Sequence, residues 1–159
     1  MTPETTHVPA IRLHRTIAAA PHEVYRAWLD PDILRRWFAG GGMAVARVEV
    51  DERVGGHHRT WQTGPDGDAG GFDAELVELV PDERLVFLWR FVGPERVADP
   101  SSDSRLTITF AEAPRGATAL TLVHERLDGL RAAMPHVADA VPAGWGQALD
   151  KLEAALAAV

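Results

Sequence analysis

Aromatic residues are the part of this 159-residue sequence with the clearest chemical meaning. Most of its five Trp and five Phe residues fall in segments whose apolar spacing turns them toward one interior. Such rings could line an apolar pocket, with indole N–H groups as polar contacts, or they could simply pack as a core. The candidates for a ligand-binding lining are Trp37, Phe38, Trp61, Phe72, Phe87, Trp89 and Trp145.

Two polar residues are candidates for orienting a ligand. His124 follows Leu120 and Leu122 in the same strand phase, so it faces inward if they do. An inward imidazole could orient a ligand carbonyl or carry a proton, or it could be held by a neighbouring backbone or carboxylate group. Arg59 shares a phase with Trp61 and could hold a carboxylate or phosphate, with a solvated or salt-bridged role as the alternative.

Other reactive patterns are weak or excluded. Asp73 and Glu75 could supply a general base, but two carboxylates at this spacing are also common on an exposed strand face. His57 and His58 are adjacent on a strand and point to opposite faces, so no metal site is predicted. The chain has no Cys, no G-x-S-x-G motif, and no Lys-Ser or Lys-Thr after Gly40–Gly42. Thiolate chemistry, serine hydrolysis and a phosphate loop are therefore excluded, and no cofactor is predicted.

Hydrophobic spacing predicts the elements that must position these side chains. It indicates a strand over 11–17 and two short helices, which start near Pro21 and Pro31 with Asp30 as a cap. Six strands follow, among them one over 84–92, and residues 64–71 are predicted as a loop between strands. A helical stripe then runs from about 135 to 159, where Pro142 is expected to kink or delay the helix.

Consecutive strands with short turns predict an antiparallel meander whose apolar face needs a cover. The fold class is therefore α+β: a curved antiparallel sheet of about seven strands around a long C-terminal helix, with two short helices after the first strand. A bent sheet around one helix is expected to leave a cavity between them. Residues 1–10 are predicted as a flexible N-terminus and 11–159 as one domain.

Composition limits the partners of the chain. Its net charge is −7 and its pI about 5.4, which argues against nucleic acid and anionic membranes as partners. The sequence has neither an apolar run of the roughly 20 residues that a bilayer span needs nor the features of a secretory signal. A cytoplasmic location is therefore expected.

Several segments together resemble a known superfamily. PHEVYRAWLDPDILRRWF, VDERVGGHHR, ELVELVPDERLVFLWRF, GATALTLVHERL and GWGQALDKLEAAL occur in this order. They are similar to the START-like, or Bet v 1-like, helix-grip superfamily, also called SRPBCC. Within it they most resemble the branch named for the Aha-type activator of the heat-shock-protein-90 ATPase. The resemblance covers about residues 10–158 and implies the helix-grip fold.

The resemblance leaves three functions open, because its members include carriers, polyketide cyclases and co-chaperone domains. The leading hypothesis is binding of a small apolar or aromatic molecule under the C-terminal helix by a bacterial protein. The alternatives are a cyclase- or hydrolase-like enzyme that uses the same cavity, and a co-chaperone-type interaction module. An exposed edge strand could support a two-fold homodimer.

Overall fold

The computed structural model describes residues 8–97 and 99–157. Most of the predicted flexible N-terminus, residues 1–7, lies outside the described residues. Val8 is within them: its backbone N–H donates to Asp128 Oδ1 at 2.7 Å, and its side chain packs against the core. Contacts with the core therefore begin before the first strand.

The described residues form eight strands and four helices. The strands are β1 (Ile11–Ile17), β2 (Ala44–Val50), β3 (His57–Gly64), β4 (Gly67–Val80), β5 (Arg84–Trp89), β6 (Phe91–Val92), β7 (Ser104–Ala113) and β8 (Ala117–Glu125). The helices are α1 (Pro21–Ala27), α2 (Pro31–Trp37), α3 (Asp128–Ala133) and α4 (Pro135–Ala157). Short 3-10 turns occupy Pro100–Ser102 and Pro114–Gly116.

Seven strands form one antiparallel sheet in the order β1-β8-β7-β5-β4-β3-β2, and the two-residue β6 pairs with β4. This confirms the predicted α+β class with its curved sheet, its long C-terminal helix and its two short helices after the first strand. The first and second strands are at opposite edges because α1 and α2 carry the chain across one end of the sheet.

Both short helices begin where the sequence predicts. Pro21 and Pro31 occupy the first helical turns, where a missing backbone N–H is tolerated. The Asp30 carboxylate accepts a hydrogen bond from the backbone N–H of Asp32 at 2.9 Å, which caps α2. Helix α2 ends at Trp37, and this places the Trp37 and Phe38 rings in the core.

Strand β4 differs from the prediction because most of the expected 64–71 loop belongs to it. Gly64 pairs with Gly67, so only two residues form the turn, and pairing continues past a bulge at Ala69 into Gly70 and Gly71. Gly71 has a φ of +156°, and a Cβ there would lie 1.9 Å from the Thr60 carbonyl oxygen. Glycine therefore keeps the backbone in the sheet, where the sequence alone indicates a loop.

The predicted single strand over 84–92 is divided in the structure. Arg90 separates β5, which pairs with β7, from β6, which pairs with β4 through Phe72 and Phe91. The Arg90 guanidinium binds the Asp103 carboxylate through two hydrogen bonds of 2.6 and 2.7 Å. At this interruption the chain changes its pairing partner from β7 to β4.

Helix α4 runs without interruption from Pro135 to Ala157, so Pro142 does not delay its start. Proline removes one backbone hydrogen bond. Three residues before and after Pro142 are nevertheless buried on the side of the helix that faces the sheet: Val141, Trp145 and Leu149. Packing of this stripe holds the helix together despite the lost bond. Helix α3 is an element that the hydrophobic spacing does not reveal. In the ranges described, no helix combines the length and apolarity needed to cross a membrane.

Candidate functional site: a cavity between the sheet and the last helix

A cavity of about 560 Å³ lies beneath α4. Its walls come from the concave face of the sheet, from the segment that follows α2, and from the first half of α4. The sheet supplies Gln62, Phe72 and Phe91; the segment after α2 supplies Phe38, Ala39, Gly40 and Met43; α4 supplies His136, Val137, Ala140, Val141, Ala143, Gly144, Trp145, Gln147 and Ala148. A volume of this size is typical of small-molecule sites.

The lining is apolar and uncharged. Its described residues include no Asp, Glu, Lys or Arg. His136 and Gln147 are exposed on α4, and this places them at the mouth of the cavity. Gln62 is the polar residue on the sheet side; it is 8% exposed, and its Nε2 donates to the Phe38 carbonyl oxygen at 3.3 Å. Its amide oxygen is left to accept a hydrogen bond from a guest molecule.

Phe38, Phe72 and Trp145 are the candidates from the sequence that line the cavity. Trp37, Phe87, Trp89 and His124 face the same interior but are buried in a layer behind the lining. Trp37 is held in that layer by its indole N–H, which donates to the Ala27 carbonyl oxygen at 3.0 Å. The structure thus brings seven of the nine candidates into one interior and divides them between lining and support.

Arg59 and Trp61 lie on the outer face of the sheet, so the prediction that they face the interior is wrong. Alternation along β3 turns His58, Thr60 and Gln62 inward and therefore turns their neighbours outward. Arg59 Nε donates to Asp73 Oδ1 at 3.0 Å.

Trp61 makes cation–π contacts on that outer face. The guanidinium carbons of Arg47 and Arg96 lie over its ring, 4.9 and 4.3 Å from the ring centroid. Asp73 and Glu75, the weak candidates for a general base, share this outer face. None of these residues can reach a molecule in the cavity, because the sheet lies between.

His124 faces inward, as its phase predicts, and forms a chain of buried hydrogen bonds. The Trp145 indole N–H donates to His124 Nδ1 at 3.0 Å, so in the neutral ring the proton is on Nε2. Nε2 lies 2.7 Å from Ser104 Oγ, which donates to the Trp89 carbonyl oxygen at 3.3 Å. Burial lowers the pKa of His124 to about 3. A neutral imidazole with both nitrogens occupied is suited to positioning Trp145, a wall of the cavity.

Four other buried polar atoms have no hydrogen-bond partner among the described residues. They are Trp28 Nε1, His58 Nδ1, Thr60 Oγ1 and Trp89 Nε1, and we call these residues the inner polar cluster. Each of the four residues is 0% exposed. Since an unpaired polar group that is buried in a protein costs about 1–3 kcal/mol, four of them in one region are a substantial burden on stability.

The two buried threonines Thr60 and Thr118 allow this burden to be measured. Thr118 Oγ1 donates to the Ala19 carbonyl oxygen at 2.7 Å, whereas Thr60 Oγ1 has no partner among the described residues. We expect Thr118→Val to lower the free energy of unfolding by about 1–2 kcal/mol, and Thr60→Val to raise it by about 1 kcal/mol. Urea denaturation of both variants checks this, and equal destabilisation would contradict it.

The segment between α2 and β2 is tied to α4 by the single lysine of the chain. Lys151 Nζ donates to the carbonyl oxygens of Ala39 and Met43 at 2.7 and 3.2 Å. A Cβ at Gly40 would lie 3.0 Å from Gly144 Cα, so glycine at 40 allows this close approach. The sequence analysis did not select these residues. The glycine run was visible, but the contact is with a helix more than 100 residues away.

No cluster of three or more His, Asp or Glu side chains suited to a metal ion occurs in the part of the chain that the structure describes. His58 is isolated from such a cluster: its Nε2 lies 2.9 Å from the Trp28 carbonyl oxygen, and burial lowers its pKa to about 4. As predicted, the side chains of His57 and His58 are on opposite faces of β3.

A curved antiparallel sheet that grips one long helix above an apolar cavity defines the helix-grip class of protein. The family model described as "Activator of Hsp90 ATPase homolog 1-like protein" matches residues 18–157, and the chain belongs to this family. The resemblance noted in the sequence is thereby confirmed. Among curated proteins, none is similar enough to count as a match.

Solved structures of bacterial proteins support the same assignment. The crystal structure of protein CV1439 from Chromobacterium violaceum has 34% sequence identity, a TM-score of 0.74, and coverage of 92% of this chain and 96% of that chain. The AHSA1 protein of Silicibacter pomeroyi has 22% identity, a TM-score of 0.72, and coverage of 94% and 98%. A protein from Arthrobacter aurescens has 18% identity, a TM-score of 0.81, and coverage of 98% and 92%. The last two comparisons support the fold alone.

Proposed function

We propose that the protein binds a small, neutral, apolar or aromatic molecule in the cavity beneath α4. The observation that carries this proposal is the lining, which is uncharged among its described residues and is built from rings and aliphatic side chains. Removing about 200 Å² of ligand surface from water contributes about 5 kcal/mol, which exceeds what one polar contact supplies. Phe38, Phe72 and Trp145 provide the aromatic faces for such a ligand.

The absence of a charged residue from the described lining favours neutral ligands over acids and phosphates. A carboxylate brought into this cavity would lose its hydration without gaining a cationic partner. Gln62, by contrast, offers a neutral amide oxygen on the sheet side. The ligand is therefore expected to be apolar over most of its surface, with at most uncharged polar groups.

A substitution that fills part of the cavity tests this proposal. Gly144 lines the cavity, and a Cβ built there has no heavy atom within 4 Å, so the first carbon of a larger side chain is accommodated and Gly144→Leu is expected to occupy part of the cavity. We expect the variant to fold at least as stably as the wild type, because glycine disfavours helix by about 1 kcal/mol. It should lose binding of 2-methylnaphthalene by at least tenfold in isothermal titration calorimetry.

The matched control is Gly146→Ala, which removes a glycine from the same helix but is not among the lining residues. It should bind the probe as the wild type does. Binding that is unchanged in Gly144→Leu would contradict the proposed site. A wild-type protein that binds neither this probe nor a neutral aliphatic probe such as decanol would contradict the proposed function.

No contact among the described residues favours the enzyme alternative. It requires His124 beside a carboxylate, but the His124 ring nitrogens contact Ser104 and Trp145. The co-chaperone alternative rests on the family description alone. The cytoplasmic location and the homodimer stay predictions from the sequence.

A further inference from the structure

The inner polar cluster surrounds the ring of Phe38. The ring centroids of Trp28, His58 and Trp89 lie 5.8, 5.3 and 5.8 Å from that of Phe38. The fourth member, Thr60, pairs across the sheet with Phe72, whose ring is 5.9 Å from that of Phe38. Phe38 also lines the cavity. Phe38 therefore contacts three of the four residues and, together with Phe72 beside Trp89 and Thr60, separates them from the cavity.

The hydrogen-bonding capacity of the cluster is mixed. Both indole groups can only donate, and the Thr60 hydroxyl can donate or accept. His58 Nε2 faces the Trp28 carbonyl oxygen at 2.9 Å and must donate to it, so Nδ1 of the neutral ring can only accept. A ligand group that satisfies such a set both donates and accepts, and a hydroxyl group does so.

The group must also be neutral. Within the described core, the residues buried around Phe38 include no Lys, Arg, Asp or Glu. An ionised ligand oxygen would find hydrogen-bond donors there but no countercharge, while a phenol keeps its proton at neutral pH. These requirements select a neutral hydroxyl group, and the aromatic rings of the lining favour one carried on an aromatic ring.

We infer that the cavity binds a hydroxylated aromatic molecule whose hydroxyl group enters the inner polar cluster as the Phe38 ring moves aside. This inference rests on the proposed function and adds the polar chemistry of the ligand. The segment after Phe38 stays tied to α4 by Lys151, so the movement is a rotation of the Phe38 side chain about its own bonds. One or two of the four unpaired atoms then gain a hydrogen-bond partner from the ligand.

Calorimetry with two probes of nearly equal size tests the inference. 2-Naphthol carries the hydroxyl group, and 2-methylnaphthalene replaces it with a methyl group. We expect 2-naphthol to bind the wild type about tenfold more tightly, as one or two hydrogen bonds would provide. Thr60→Val should weaken 2-naphthol binding about fivefold and leave 2-methylnaphthalene binding unchanged.

Indole N–H signals in ¹H–¹⁵N NMR spectra supply a second readout. With 2-naphthol, the Trp28 or Trp89 signal should move downfield as a hydrogen bond forms. Trp61 is on the outer face of the sheet, away from Phe38 and the cavity, so its signal should stay in place. Single Trp→Phe variants assign the signals.

The outcomes separate the two proposals. Equal affinities for the two probes, or tighter binding of 2-methylnaphthalene, would overturn the inference and leave the proposed function intact. Unmoved Trp28 and Trp89 signals on 2-naphthol binding would also overturn it. If neither probe binds, the inference fails; if decanol does not bind either, the proposed function fails with it.

Discussion

Acidification is expected to destabilise the protein by about 4 kcal/mol between pH 7.5 and pH 5. Burial lowers the pKa of His58 to about 4 and that of His124 to about 3, while in the unfolded chain each has a pKa near 6.5. Their contribution to stability is fully present above pH 6.5. It is lost as the pH falls, because the unfolded chain takes up two protons that the folded protein excludes.

The full effect, reached near pH 3, is about 3 kcal/mol for His58 and about 5 kcal/mol for His124. Together these losses approach the whole stability of an ordinary domain, so we expect acid unfolding. Urea denaturation at half-unit pH steps measures the slope, and the window from pH 6.5 to 5 lies above the titration of ordinary carboxylates.

Variants assign the slope to the two buried rings. His124→Gln and His58→Gln should each reduce the slope between pH 6.5 and 5 by about half. The control is His136→Gln, whose exposed side chain at the cavity mouth should leave the slope as in the wild type. A wild-type stability that is flat over this window would refute the prediction.

Trp89→Ala is expected to lower the free energy of unfolding by about 3–5 kcal/mol, because it empties a site at the centre of the aromatic core. Trp89 is 0% exposed, and its ring lies 4.6 Å from Phe72 and 5.5 Å from Trp145, measured between centroids. Loss of the indole removes support from two walls of the cavity. Urea denaturation at pH 7.5 measures the change.

Trp61→Ala is the matched control, since the same residue type is removed from the outer face. Its contacts are with the guanidinium groups of Arg47 and Arg96, and we expect a loss of about 1 kcal/mol. Equal losses for the two variants would show that the inner and outer faces of the sheet are wrongly assigned.

The inner polar cluster connects stability with binding. A core selected for stability alone would fill these positions with apolar groups or pair every polar atom. Replacing the Thr60 hydroxyl group should stabilise the fold and weaken binding of an aromatic alcohol at the same time. That pair of opposite effects is the signature expected of a site kept for its ligand.

Strand phase explains where the sequence succeeds and fails in locating the site. Leu120, Leu122 and His124 alternate strictly along β8, so the inward direction of His124 could be predicted. On β3, both phases contain residues that could face a ligand: Arg59 and Trp61 in one, His58, Thr60 and Gln62 in the other. The Trp61 ring led to the choice of the wrong phase. Its packing partners on the outer face are Arg47 from a neighbouring strand and Arg96 from a distant loop, and the local sequence does not reveal them.

The sequence by itself determined the order of most elements, the starts of α1 and α2, the α+β class and the presence of an aromatic interior. These depend on local spacing, capping and turn residues, which act over a few positions of the chain. The tertiary structure alone decided which rings line the cavity and which support it, how Lys151 ties the segment after α2 to the last helix, and which buried polar atoms go unpaired. Those features depend on contacts between residues far apart in the chain, and no local pattern records them.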